Sequence, residues 1–256
     1  MSTLANAMDV LRLIARLRRD ITVTDAATEL NLPKSSASRT LSAMAEYGFL
    51  ERDATTRAYR PGNVILEASY HFRATRNATS LLEDALVALV DDTGYTGYLD
   101  VLDNADSLVI QMRSGTGSLQ VYTPPGVRAP AYATSMGRAL LARLPSDKMA
   151  DLVGNRFDLR RGNIPQNWED LSSRVADVQA NGWSLSRGEF LENVAGISAS
   201  VHDPATGKTY GIGIALPSQE LSDELVVSLS VRVRDAAMVV GKQIGDDYWL
   251  RFSNAP

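Results

Sequence analysis

The chain has 256 residues, 45% of them hydrophobic and 22% charged, the balance of a folded protein with room for one large domain or two modest ones. It contains no cysteine, which excludes disulfides, thiol catalysis and cysteine-ligated zinc. Its net charge of −4 argues against a general nucleic-acid coat. The charge is unevenly spread: residues 1–80 carry 11 Lys and Arg against 8 Asp and Glu, and the other 176 carry 15 against 22. A mildly basic front on an acidic rear suits a small DNA reader joined to something else.

The first segment, Leu4 to Arg19, has helical spacing, with Ala7, Leu11, Ile14 and Ala15 on one side. It lacks the unbroken apolar run of a signal peptide, and no stretch approaches the ~20 apolar residues that cross a bilayer. A cytoplasmic protein with no membrane contact is expected. Thr22-Val23-Thr24-Asp25 forms a capping-box-like start for a short helix. Asn31 follows where the chain must reverse, because asparagine tolerates the left-handed conformation. Pro33 suits the first turn of the next helix.

That second helix, roughly Pro33 to Tyr47, places Ala37, Leu41, Met44 and Ala45 on one side. The opposite side carries Ser35, Ser36, Ser38, Arg39 and Ser42. Such a front cannot be buried in a core. It can enter a major groove, where hydroxyls bond phosphates or base edges and arginine favours guanine. Lys34, Ser35, Ser36, Ser38 and above all Arg39 are the candidate DNA contacts. Gly48 ends the helix. Phe49–Arg52 and Ala58–Arg60 then flank a hairpin tip, Asp53 to Arg57, which reads as the wing of a winged helix-turn-helix. Arg57 at the tip is placed to reach the minor groove or its phosphates, and Arg52 and Arg60 are lesser phosphate neighbours. Residues 1–62 are therefore expected to be the DNA-binding domain, and 63–80 a linker helix.

Leu81 to Asp92 reads as another helix, ended by Gly94. Strand texture follows at Tyr98–Leu102 and Ser107–Met112, with a further short strand at Leu119–Tyr122. Helices are expected at Ser135–Leu144, Asp147–Val153 and Trp168–Ala180, and strands at Trp183–Arg187, Gly196–Val201 and Thr209–Leu216. The last two strands are joined by a turn at Asp203–Gly207. Ser222 caps a long helix that runs to Gly245. An antiparallel sheet flanked by helices, an α+β domain over 81–256, is the natural packing.

Three segments carry a resemblance to the IclR family of bacterial transcription regulators. They are LNLPKSSASRTLSAMAEYGFLERD (30–53), GVRAPAYATSMGRALLARL (126–144) and LENVAGISASVHDPATGKTYGIGIALP (191–217). The resemblance covers nearly the whole chain, with Asn31 in place of the family's usual turn glycine. It implies a GAF-like C-terminal domain that binds a small metabolite over its sheet. It also implies a homodimer or dimer of dimers on double-stranded operator DNA. Carried over by position, the effector pocket would be lined by Ser135, Met136, the Ser186–Glu189 loop, Gly196, Ser198, Gly213 and Ala215. Some members place hydroxyl or thiol residues where this chain has Gly196, Gly213 and Ala215. A smaller, less polar wall that admits a bulkier or more apolar ligand is the expectation. The second segment resembles members that govern aromatic-acid catabolism.

A carboxylate effector needs a cation or helix N-terminal amides. Arg128 offers the first, and the Ser135-Met136-Gly137 helix start the second. Arg128 could equally pair with an acidic neighbour. Catalytic and cofactor readings are weak. Thr206-Gly207-Lys208-Thr209 resembles the end of a P-loop, but the position of its first glycine is His202. The two histidines, His71 and His202, lack metal-pair spacing, so no metal or cofactor is expected. The competing reading is a small-molecule enzyme with an appended winged-helix dimerisation module. A third reading is a winged domain used for protein contacts alone.

Overall fold

The computed structural model describes residues 3–17, 19–74, 78–117, 119–158 and 163–252, with the side chains at 3 and 69–74 outside that description. Contacts divide the chain into two compact units, 1–76 and 77–256.

The first unit begins with α1 (Thr3–Leu17). Arg19, expected inside this helix, lies beyond it and pairs with Asp25 at 2.9 Å. That contact joins the capping box opening α2 (Val23–Glu29), in which Thr22 Oγ1 accepts from the Asp25 amide and Asp25 accepts from the Thr22 amide. Arg19 and the Thr22 donors hold the Asp25 carboxyl well below the usual carboxylate range. Asn31 makes the reversal with φ of 51°. Helix α3 (Lys34–Glu46) follows and buries Ala37, Thr40, Leu41 and Met44 against Val10, Leu13 and Ile21. Thr40 belongs to this buried face, although its hydroxyl gave no sign of it in the sequence.

Strands β1 (Leu50–Arg52) and β2 (Tyr59–Pro61) form the expected hairpin, with Glu51 opposite Arg60. Ile21 adds a bridge to Tyr59 and ties the hairpin to the helices. Asp53 Oδ1 accepts from the amides of Thr55 and Thr56, so the tip is closed by an Asx turn. Helix α4 (Asn63–Ala74) ends the described part of this unit. His71 lies on it, but its side chain is outside the described residues.

The second unit is built on one six-stranded antiparallel sheet. Its strands are β3 (Thr96–Asp103), β4 (Asp106–Arg113), β5 (Arg128–Pro130), β6 (Ser184–Arg187), β7 (Val194–Asp203) and β8 (Lys208–Pro217). Their order is β5-β4-β3-β8-β7-β6. Side chains alternate across a strand, and here the two faces differ sharply. Leu99, Val101, Ala195, Ile197, Ala199, Val201, Tyr210, Ile212, Ile214 and Leu216 face one way, into the main core with α5 (Ala78–Thr93) and α9 (Asp223–Ile244). The other face carries Asp100, Gly196, Ser198, Gly211 and Gly213. These small and polar residues let α6 (Ser135–Leu141) lie close on the sheet. A Cβ at Gly211 would sit 2.4 Å from Met136 Sδ of α6, so the close approach requires glycine there. Outside α6 lie α7 (Ser146–Val153) and α8 (Trp168–Asn181), with their own core around Leu141, Ile164 and Leu171.

Two features differ from expectation. Leu119–Tyr122 is an irregular loop, with Leu119 and Tyr122 exposed, and the strand beside β4 is instead Arg128–Pro130. Glycines and prolines flank the expected strand, and Gly115 fits closely under the Gly94 carbonyl, which turns the chain away from the sheet edge. A last helix, α10 (Asp247–Phe252), was not anticipated. It buries Trp249, whose indole N–H donates to the Ser200 carbonyl at 2.9 Å. No helix among the described residues is long and apolar enough to cross a membrane.

Candidate DNA interface and ligand cavity

On the first unit, the side of α3 opposite its core presents Lys34, Ser35, Arg39 and Ser42 as exposed residues and Ser36 and Ser38 as half-exposed ones. The Arg39 Nε donates to its own helix at the Ser35 carbonyl, 3.3 Å away, so the fold asks nothing else of this side chain. The residue before the helix, Pro33, provides no side-chain cap. The Ser36 amide donates to the Pro33 carbonyl at 2.8 Å, which leaves the amides of Lys34 and Ser35 to meet a phosphate oxygen.

Arg57 stands exposed at the hairpin tip with φ of 61°, a conformation that costs a non-glycine residue and projects it outward. The other two arginines of the hairpin are engaged. Arg60 pairs with Glu51 at 2.7 Å, and the Arg52 guanidinium lies 5.3 Å from the centre of the Tyr59 ring. The structure thus gives the hairpin one outward-pointing cation at its tip and two that brace its strands.

On the second unit, a cavity of about 130 Å³ lies between α6 and the small-residue face of the sheet. Of the nine residues expected to line it, eight do so: Arg128, Ser135, Met136, Ser186, Gly196, Ser198, Gly213 and Ala215. Glu189 does not. It is buried and receives both terminal nitrogens of Arg138, at 2.6 and 3.0 Å. Arg138 also donates to the carbonyls of Tyr132 and Leu185, so this pair fastens α6 to the loop after β6. Burial pulls the Arg138 guanidinium down from its usual range and the Glu189 carboxylate opposes the shift.

Arg128 reaches the cavity and is also ion-paired, with Nε and Nη2 on Asp103 Oδ2 at 3.0 and 2.5 Å. The pairing with an acidic neighbour is therefore present, on the side of the sheet that carries Leu108 and Asp103. The helix start serves a ligand less well than expected, because the Gly137 amide is taken by Thr134 Oγ1 at 2.9 Å.

The cavity lining is predominantly apolar, and two hydroxyls pack over its glycines. A Cβ at Gly196 would meet Ser135 Oγ at 2.7 Å and one at Gly213 would meet Ser198 Oγ at 2.4 Å. These two hydroxyls, 3.0 Å apart, occupy the space the glycines leave.

The residue missed in the sequence is Asp100. It lies on β3, lines the cavity and is 4% exposed. Ser107 Oγ donates to its Oδ2 at 2.6 Å. Burial pushes its carboxyl up to about 6, against the opposing pull of that hydroxyl. A carboxylate in an otherwise apolar strand was the available signal. Its folded value lies above the unfolded 3.8, so the stability it contributes is complete below about pH 3.8 and lost as pH rises through 6. Asp100→Asn is expected to stabilise the protein at pH 7.5 by up to about 3 kcal/mol, with the difference shrinking toward zero at pH 4. Melting curves of both proteins across that range check this, and a pH-independent difference would refute it.

His202 Nδ1 lies 3.1 Å from Thr209 Oγ1, and Asp203 is spent on the β7–β8 turn. Among the described residues no group of His, Asp and Glu could hold a metal ion. The residues that resemble a P-loop form that same hairpin turn, with Gly207 at φ of 68°.

Comparison with known proteins agrees with this layout. Residues 3–54 match the IclR helix-turn-helix domain, and residues 75–242 match the model described as bacterial transcriptional regulator IclR, C-terminal. The chain is 26% identical to the HTH-type transcriptional regulator KipR of Bacillus subtilis, over 95% of this chain and 97% of that one. It is 25% identical to the transcriptional repressor IclR of Escherichia coli, over 59% of this chain and 56% of that one. Among solved structures, an IclR homologue from Microbacterium hydrocarbonoxydans, complexed with 4-hydroxybenzoate, superposes with a TM-score of 0.82 at 19% identity, covering 95% of this chain and 99% of that one. With the C-terminal model spanning well over half its length and the helix-turn-helix model lying ahead of it, this chain belongs to the IclR family of bacterial transcriptional regulators.

Proposed function

We propose that this regulator binds a pseudo-palindromic operator as a homodimer or dimer of dimers in the cytoplasm, and that a small organic acid in the α6 cavity sets its operator affinity. The observation that carries the reading is the exposed serine and arginine face of α3, which the fold supports from behind and leaves uncommitted in front. Lys34, Ser35, Ser36, Ser38 and Arg39 are the proposed major-groove and phosphate contacts, and Arg57 the wing contact. Ser135, Met136, Ser186, Gly196, Ser198, Gly213 and Ala215 are the proposed effector wall, with Arg128 at its edge. Repression is the proposed sense of regulation, by analogy with the E. coli relative. Aromatic acids such as 4-hydroxybenzoate are the proposed first ligands to try, by analogy with the complexed homologue. The cavity is read as a binding site without turnover, since Ser135 and Ser198 bond each other and no histidine stands among the described lining residues.

Selection of genomic DNA fragments by the purified protein, followed by affinity titration at several salt concentrations, tests the reading. A shared two-fold motif is expected, with log affinity falling linearly as log salt rises. Effector addition should shift affinity by about 5- to 150-fold. Failure to enrich any sequence, or binding indifferent to salt, would overturn it in favour of a module used for protein contacts.

A further inference from the structure

We propose that the α6 cavity selects organic acids that also carry an O–H or N–H donor, and that Asp100 Oδ1 accepts that hydrogen bond. The inference rests on the reading of this cavity as the effector site. Asp100 has two carboxylate oxygens in different situations. Oδ2 takes the Ser107 hydroxyl at 2.6 Å, whereas Oδ1 is buried with no hydrogen-bond partner among the described residues. A carboxylate oxygen removed from water and left unpaired is strongly unfavourable, and a position in the wall of a cavity is where an incoming donor can relieve it.

The neighbouring hydroxyls are already committed. Tyr98, two residues earlier on the same face of β3, donates its phenol to the Val121 carbonyl at 2.6 Å. Ser135 and Ser198 bond each other. The raised proton affinity of Asp100 records the same imbalance of much burial against a single hydrogen bond.

Arg128, the one Lys or Arg among the described lining residues, does not share this role. It stands on β5 opposite Leu108, and Leu108 stands opposite Val101, whereas Asp100 stands opposite Val109. Residues paired across a sheet share a face, so Arg128 projects to the side of Val101 and Asp103, where its Nε and Nη2 are committed to Asp103. The requirement for a donor on the ligand therefore comes from Asp100, and the acid group from the proposed reading of the cavity. A simple unsubstituted acid leaves Asp100 Oδ1 unpaired.

Calorimetric titration of the full-length protein with matched pairs tests this. The pairs are 4-hydroxybenzoate and 4-aminobenzoate against benzoate, and lactate against propionate. In at least one series the donor-bearing member is expected to bind about tenfold tighter or more. In Asp100→Ala the members of that series should become equal within about twofold. Asp100→Leu, which keeps the volume without an acceptor, should behave the same way and guards against a folding defect in the alanine variant. Equal affinities in the wild type, or a preference that survives in both variants, overturn the inference and leave the cavity reading intact. No binding by any member at millimolar concentration overturns both.

Discussion

Arg39→Ala should weaken operator binding by about 1–3 kcal/mol for each protomer on the DNA, so a symmetric dimer loses roughly twice that. Melting temperature and oligomeric state should be unchanged. The expectation follows from what the side chain does in the protein alone. It is exposed and returns one hydrogen bond to its own helix, and changes at such positions usually stay within about 0.5 kcal/mol of neutral for folding. Lys34→Ala provides the contrast. If Lys34 meets a phosphate, its loss should weaken all DNA sequences alike and lower the salt slope by about one per protomer. Fluorescence anisotropy on specific and scrambled operators separates the two cases. Unchanged operator affinity in Arg39→Ala would remove α3 from the interface and, with it, the proposed mode of DNA reading.

Glu189→Ala should destabilise the second unit by about 3–5 kcal/mol, because it strands the buried Arg138 guanidinium. Arg138 is 1% exposed and meets Glu189 through both terminal nitrogens. Arg174, 3.6 Å from the same carboxylate, would lose part of its counter-charge as well. Replacing both members, as in Arg138→Met with Glu189→Met, should recover much of the loss. Removing the pair together leaves two unpaired carbonyls, those of Tyr132 and Leu185, rather than an unpaired charge. Urea unfolding followed by tryptophan fluorescence measures both variants. A single substitution costing less than about 1 kcal/mol would show that water reaches the pair and that it is not the fastener proposed for α6.

The reading of Glu189 as a pocket residue and its actual place show how far local pattern reaches. Residue 189 was correctly put in the loop that follows a strand facing the cavity, and its neighbours Phe190 and Leu191 do line it. What local pattern lacks is the partner. Arg138 stands 51 residues away on another element, and periodicity carries no information on which charges meet. Asp100 was passed over for the opposite reason. In Tyr98-Leu99-Asp100-Val101-Leu102 it reads as a minor interruption of a strand, and the cavity that gives it meaning exists once α6, β4 and β5 are in place. The strand expected at Leu119–Tyr122 fails on composition, because the glycines and prolines around it favour a loop over the sheet edge.

Short-range rules by themselves determined the helix-turn-helix, the hairpin, five of the six sheet strands and the long Ser222-capped helix. Each depends on spacing, caps and turn residues within about a dozen positions, and the capping box at Thr22 and the left-handed Asn31 appear as written. Tertiary structure alone decided how Asp100, Arg128 and the serines over Gly196 and Gly213 share one cavity, and which acids neutralise which arginines. Those properties arise from burial and from meetings between residues remote in the chain, and the energy of a charge is set by what surrounds it.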